Sequence, residues 1–125
     1  MDAIDMFRMM LDPYSAKILQ LTAPKAMNAL ELSDALGIPI AACYRRIRLL
    51  KDAGILREEG RVVSIGGKTV ATYRSSVESV QVNLIDGRLS VTVQADGEEK
   101  SDEVDLLAGT TILHWQANDR NGVEE

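Results

Sequence analysis

The sequence predicts an α+β fold: a winged helix-turn-helix domain with a three-helix core and a β-hairpin wing, then an extra C-terminal β-hairpin and a candidate C-terminal helix. Two observations lead there. Apolar residues recur at helical spacing up to Leu56 and with period two beyond it. The stretch Leu36 to Leu56, LGIPIAACYRRIRLLKDAGIL, reads as a short turn and one helix whose faces differ sharply. At roughly 100° per residue, Cys43, Ile47 and Leu50 fall on one side, and Ala41, Tyr44, Arg45, Arg48 and Lys51 on the other. A helix that buries one face and offers Tyr, Arg and Lys on the other suits a DNA groove.

The helices follow in order. Asp2 to Met10 is predicted as the first, capped by Asp2, with Ile4, Phe7 and Met10 on one face and Met6 on its flank. The step Leu11-Asp12-Pro13 restarts the chain, because Asp caps a helix and Pro is tolerated in its first turn. Tyr14 to Thr22 is then helical, burying Ile18, Leu21 and Tyr14, and Ala23-Pro24-Lys25 ends it. Asn28 to Leu36 opens on Asn28 with Glu31, the spacing of a capping box, and closes on Gly37, suited to a left-handed cap. Pro39 starts the next helix and Gly54 stops it. Two helices joined by a Gly-containing turn make a helix-turn-helix.

Beyond Leu56 the pattern is β. Arg61 to Ile65 and Lys68 to Tyr73 flank Gly66-Gly67, predicted as a two-residue hairpin turn, the wing. Val77 to Ile85 and Arg88 to Gln94 flank Asp86-Gly87; this turn sets Leu84 opposite Leu89, Val82 opposite Val91 and Val80 opposite Val93, all on one face that something must cover. Ala95 to Ser101 is expected as a polar linker. Residues 102–115 carry Val104, Leu107, Ala108, Thr111, Ile112 and Trp115 at helical spacing, interrupted by Gly109-Thr110-Thr111. Gln116 to Glu125 is expected to be a disordered tail. The domain organisation is thus 1–75 for the N-terminal helix with the winged module, 76–94 for the second hairpin, and 95–125 for the acidic remainder.

Charge divides the chain in the same place. The net charge of −5 argues against nucleic acid, whose binders neutralise phosphates. Yet residues 1–75 hold 11 basic and 8 acidic residues, net +3, whereas residues 76–125 hold 3 and 11, net −8. A basic binding surface joined to an acidic part with another role fits that split. No apolar run approaches the roughly 18 residues of a membrane span. The amino terminus has no basic leader, and one cysteine forms no internal disulfide, so a cytoplasmic protein is expected.

The runs LDPYSAKILQL and LSDALGIPIAACYRRIRLLKDAGILRE, followed by a Gly-turned hairpin, resemble the winged helix-turn-helix domain of the ArsR-type transcriptional regulators of bacteria and archaea, over roughly Leu11 to Ser75. The resemblance implies a homodimer that places one recognition helix per subunit in successive major grooves of double-stranded DNA, with wings on the flanking backbone. By position, Ile40, Ala41, Tyr44, Arg45 and Arg48 correspond to the exposed face of that helix. Arg can bond a guanine through two donors, Tyr can bond phosphate or meet a thymine methyl, and Ala permits close approach. Lys51 extends this face, and Arg61 and Lys68 on the wing are expected as phosphate or minor-groove contacts. Arg46 lies off the face and is read as ordinary surface charge; Tyr44 can equally pack on its own domain.

Two departures from the family matter. Pro39 stands where many members have a Ser cap. Members that sense metals carry paired Cys or clustered His and acidic ligands, whereas this chain has only Cys43 and His114, on different elements, against the three or four ligands a site needs. Cys43 on the core side behaves as a small hydrophobe. No nucleophile with a base, phosphate loop or paired acids can be read, so neither an enzyme nor a cofactor is expected. The acidic run of Glu98, Glu99, Asp102, Glu103 and Asp105 reads as solvated linker. Dimerisation candidates are the apolar residues Met6, Phe7, Met10, Val82, Val91, Leu107, Ile112 and Trp115. The competing reading is a winged-helix protein–protein interaction module without specific DNA binding; a small-molecule effector beneath the second hairpin is compatible with the regulator.

Overall fold

The computed structural model describes residues 1–105 and 112–116. Its elements, in chain order, are α1 (Ala3–Met9), α2 (Pro13–Leu21), β1 (Met27–Asn28), α3 (Ala29–Leu36), α4 (Ile40–Asp52), β2 (Leu56–Val63), β3 (Thr69–Ser75), β4 (Val77–Ile85), β5 (Arg88–Ala95), β6 (Glu98–Asp105) and β7 (Ile112–Gln116). The mix is α+β. The chain divides into two units: Met9–Val77, and Met1–Arg8 with the described residues from Glu78 onward. The first helix, expected within a module spanning 1–75, therefore groups with the C-terminal strands. Among the described residues, no helix is long and apolar enough to cross a membrane.

In the unit Met9–Val77 each helix begins where local chemistry dictates. Asp12 caps α2, its Oδ2 accepting from Ser15 N at 2.9 Å, with Pro13 in the first turn where a missing N–H leaves nothing unsatisfied. The expected start at Tyr14 is one residue late, and Tyr14 is exposed rather than buried. Thr22 closes α2 by sending both its N–H and its hydroxyl to Ile18 O. The Asn28 box is reciprocal: Glu31 N donates to Asn28 Oδ1 at 2.8 Å and Asn28 N to Glu31 Oε1 at 2.9 Å. Gly37, at φ 68°, ends α3 in the left-handed region. Pro39 precedes α4 with no side-chain cap bond, and Gly54, at φ 81°, follows its end.

The interior face of α4 is Cys43, Ile47 and Leu50, all buried, and it packs in a core with Ile18, Leu32, Ile55, Leu56 and Tyr73. This is the division of faces the periodicity predicts, and the apolar burial is the main stabilising term of a module this small. An antiparallel sheet ordered β1-β3-β2 closes the unit. The short β1 was absent from the sequence reading; it pairs Met27 with Tyr73 and Asn28 with Thr72.

The β2–β3 hairpin differs from expectation at both ends. β2 begins at Leu56, not Arg61, and pairs Leu56 with Ser75 through to Val63 with Thr69. Its turn has three residues rather than two: Ser64 N donates to Lys68 O at 2.7 Å and Gly67 N to Ser64 O at 2.9 Å, enclosing Ile65, Gly66 and Gly67, with Gly67 at φ 83°. Only one of the two glycines needs the left-handed region, as in the three-residue hairpin loop. A bulge interrupts the register between Glu58 and Arg61 and contains Gly60 at φ 86°.

In the other unit, β4, β5, β6 and β7 form a sheet in that order. Asp86 and Gly87 both have positive φ, 51° and 78°, the pattern of the two-residue turn the sequence predicts. The Asp96-Gly97 pair repeats it, at 52° and 76°, so the expected linker 95–101 turns directly into β6. The expected helix over 102–115 is corrected by β6 and β7; its middle, 106–111, lies outside the described residues, as does the tail from 117. β6 escapes notice because its outward and inward positions are alike polar, EEKSDEVD, leaving no alternation to read.

Pairing aligns Leu89 with Val104, Val91 with Asp102 and Val93 with Lys100, so these share one face. The start of α1 lies on it: Asp102 Oδ2 accepts from Ile4 N at 3.0 Å, and Lys100 Nζ donates to Met1 O at 3.0 Å. Val91 and Val93 are buried there, but Val82 and Leu84 on the edge strand β4 remain 42% and 62% exposed. In α1 the buried residues are Ala3, Ile4 and Met6, while Phe7 is half-buried, because the first turn is the part held to the sheet; Met10, expected as the end of this helix, lies just beyond it and is half-buried.

Candidate nucleic-acid interface

α4 displays Ile40, Ala41, Tyr44, Arg45, Arg48 and Lys51 on its exposed side, and Arg61 and Lys68 of the hairpin are exposed in the same unit. Helical spacing of three and four puts Ala41, Tyr44, Arg45, Arg48 and Lys51 in one stripe, opposite the Cys43-Ile47-Leu50 anchor. The stripe is held in place by its buried back, Cys43, Ile47 and Leu50.

Arginines in this unit fall into two classes. Arg46 pairs with Asp12 at 2.9 Å, Arg57 and Arg74 pair with Glu59 at 3.0 and 3.2 Å, and Arg61 pairs with Glu58 at 3.5 Å. Arg45 and Arg48 make no ion pair among the described residues. An exposed guanidinium without a carboxylate keeps all its donors for an outside acceptor, and its fork matches guanine or phosphate.

Arg46, by contrast, is structural. Its side chain is only 15% exposed, its guanidinium lies 5.1 Å above the Tyr14 ring, and its Nη1 donates to Ala42 O. The Arg46 guanidinium holds the Asp12 carboxyl below the usual carboxylate range.

Along α4 and β3 runs a groove of about 340 Å³ lined by Tyr44, Ile47, Arg48, Lys51, Asp52 and Tyr73. Lys51 Nζ sits 5.8 Å above the Tyr73 ring, and burial pushes the Tyr73 hydroxyl up from its ordinary pKa. Tyr44 thus lines a groove while staying 43% exposed. Burial also raises the Cys43 thiol.

Glu58 and Glu59 are the interface residues that sequence reasoning missed. Two of their ion pairs, Glu58 with Arg61 and Glu59 with Arg57, are local to β2, whereas those with Lys51 of α4 and Arg74 of β3 depend on how the strand packs. Arg57, then Arg74, holds Glu59 below the usual carboxylate range, and Arg74 also reaches Ala23 O, tying the hairpin to the loop after α2. Of the proposed dimerisation residues, Met6 and Val91 are buried in the chain. Val82 is exposed, and Leu107 and the side chains of Ile112 and Trp115 lie outside the described residues. Among the described residues, no group of three or more His, Cys, Asp or Glu is placed to hold a metal ion.

No curated protein matches the chain. Residues 10–59, from just before α2 into β2, match the family model described as a helix-turn-helix domain, and in this stretch the chain is similar to that family.

Proposed function

We propose that the protein is a sequence-specific, duplex-DNA-binding transcriptional regulator, a prokaryotic ArsR-like winged helix-turn-helix protein that acts in the cytoplasm as a homodimer. α4 enters the major groove, with Ile40, Ala41, Tyr44, Arg45 and Arg48 facing bases or adjacent phosphates. The β2–β3 hairpin is the wing, and Arg61 and Lys68 meet the flanking backbone together with Lys51. The role is binding, not catalysis.

The observation that carries this reading is the pairing pattern of the arginines. Within a region similar to a helix-turn-helix domain, the two arginines without a carboxylate partner both lie on the exposed stripe of its second helix. Two copies are required on physical grounds, because one helix reads too few base pairs for useful specificity. The exposed Val82 and Leu84 of β4 are the surface we assign to the second copy.

Selection of bound fragments from a random duplex library tests the proposal. Enrichment of a palindrome with half-sites about one helical turn apart is the expected outcome. Recovery of no common sequence at low salt would overturn it and favour the protein-interaction module.

A further inference from the structure

One carboxylate sits in the middle of the basic surface. Glu58 Oε1 lies 3.4 Å from Lys51 Nζ, at the last turn of α4, and its Oε2 lies 3.5 Å from Arg61 Nη1, beyond the bulge in β2. The bulge, with Gly60 in the left-handed region, breaks strict alternation between Glu58 and Arg61. Both oxygens are therefore engaged, each by a cation from a different element.

All three side chains are exposed, at 40% for Lys51, 42% for Glu58 and 57% for Arg61. Exposed pairs of this kind add little to folding stability. Glu59, its neighbour, differs: Arg57 and Arg74 hold it, and Arg74 fastens the hairpin to Ala23 and Pro24 carbonyls. Glu58 occupies Lys51 and Arg61, while Arg45 and Arg48 make no ion pair among the described residues.

We infer that Glu58 is an intramolecular competitor for phosphate: it occupies Lys51 and Arg61 in the free protein, weakens sequence-independent backbone binding, and leaves discrimination to Arg45 and Arg48. The inference rests on the DNA-binding reading above. A DNA phosphate must displace the Glu58 carboxylate or approach it against like-charge repulsion, a cost that every sequence incurs and that only a site with good base contacts offsets. Glu58 is thus a specificity-determining residue that touches no base.

The test uses the full chain and a labelled pool of random 30-base-pair duplexes, titrated by fluorescence anisotropy from about 50 to 300 mM KCl. Four variants are compared with the wild type: E58Q, E58D, the double variant K51Q/E58Q, and E98Q, which makes the same charge change on exposed Glu98 in the other unit. E58Q is expected to bind the pool about three- to tenfold tighter than wild type near 100 mM KCl, with a salt slope steeper by about one to two. E58D should restore wild-type behaviour, and K51Q/E58Q should lose about one unit of the added slope. If wild type binds and E58Q matches E98Q in affinity and slope, the competitor role is wrong while DNA binding stands. If neither wild type nor E58Q binds at the lowest salt, the DNA-binding reading falls and takes this inference with it.

Discussion

Asp12 and Arg46 are joined at 2.9 Å, and the same Asp12 oxygen that accepts from Arg46 Nε also accepts from Ser15 N to cap α2. One carboxylate therefore starts a helix and fastens it to the middle of α4, on the flank of the exposed stripe. The Asp-Pro step that announces α2 in the sequence also ties α2 to α4 through Arg46.

Asp12→Ala is expected to destabilise the protein by about 1–2 kcal/mol, most of it from the lost cap. Asp12 is partly exposed, so the ion pair adds at most about 1 kcal/mol. Asp12→Asn should recover part of the loss, since Asn still caps. Because Arg46 lowers the folded-state pKa of Asp12, the stabilisation is present above the unfolded value of about 3.9 and is lost as pH falls through the folded value. Urea denaturation of wild type and Asp12→Asn should accordingly converge below about pH 4, and a difference that persists unchanged at pH 2.5 would contradict the assignment.

The buried Cys43 thiol should be inert in the native protein. Burial raises its pKa and the core excludes reagent, so thiolate is scarce at neutral pH. Reaction with a disulfide reagent is expected to be slow in buffer and fast in denaturant, with the native rate tracking opening of the α4 core. Rapid native labelling would mean that α4 is not anchored as described.

Much of this was legible in the sequence, and the exceptions have physical reasons. Asp12-Pro13, Asn28 with Glu31, Gly37 and Gly54 are local signals whose chemistry is complete within a few residues, and the structure places a cap or a helix end at each. Period 3.6 in α4 sorted Cys43, Ile47 and Leu50 inward from Arg45 and Arg48 outward. Gly66-Gly67 misleads, because a glycine pair signals a two-residue turn, whereas the hairpin uses Gly67 alone in the left-handed region of a three-residue loop. β6 was hidden: its buried Asp102 accepts the Ile4 N–H from α1, a contact 98 residues away in sequence. The pairing of Glu58 with Lys51 likewise arises from tertiary placement, and that with Arg61 from the bulge between them.

The second sheet separates two kinds of valine. Val82→Asp, on an exposed position, should leave the fold within about 0.5 kcal/mol of wild type and yield monomers if β4 contacts the second copy. Val91→Asp should unfold this unit, costing at least about 3 kcal/mol, because it buries a charge directly across from Asp102. Sedimentation and circular dichroism distinguish the outcomes. A stable Val82→Asp dimer would remove β4 from the interface.

Arg45 and Arg48 are the residues assigned to reading sequence, and the assignment is tested by discrimination between a selected duplex and a scrambled one by the double variant Arg45→Ala with Arg48→Ala, beside Arg46→Ala. With each bidentate arginine worth about 1–3 kcal/mol of base discrimination, the double variant should lose sequence preference by roughly a hundredfold or more while keeping its fold. Arg46→Ala should lose stability and keep the preference. A double variant that still discriminates as well as wild type would contradict the assignment of α4 as the helix that reads DNA.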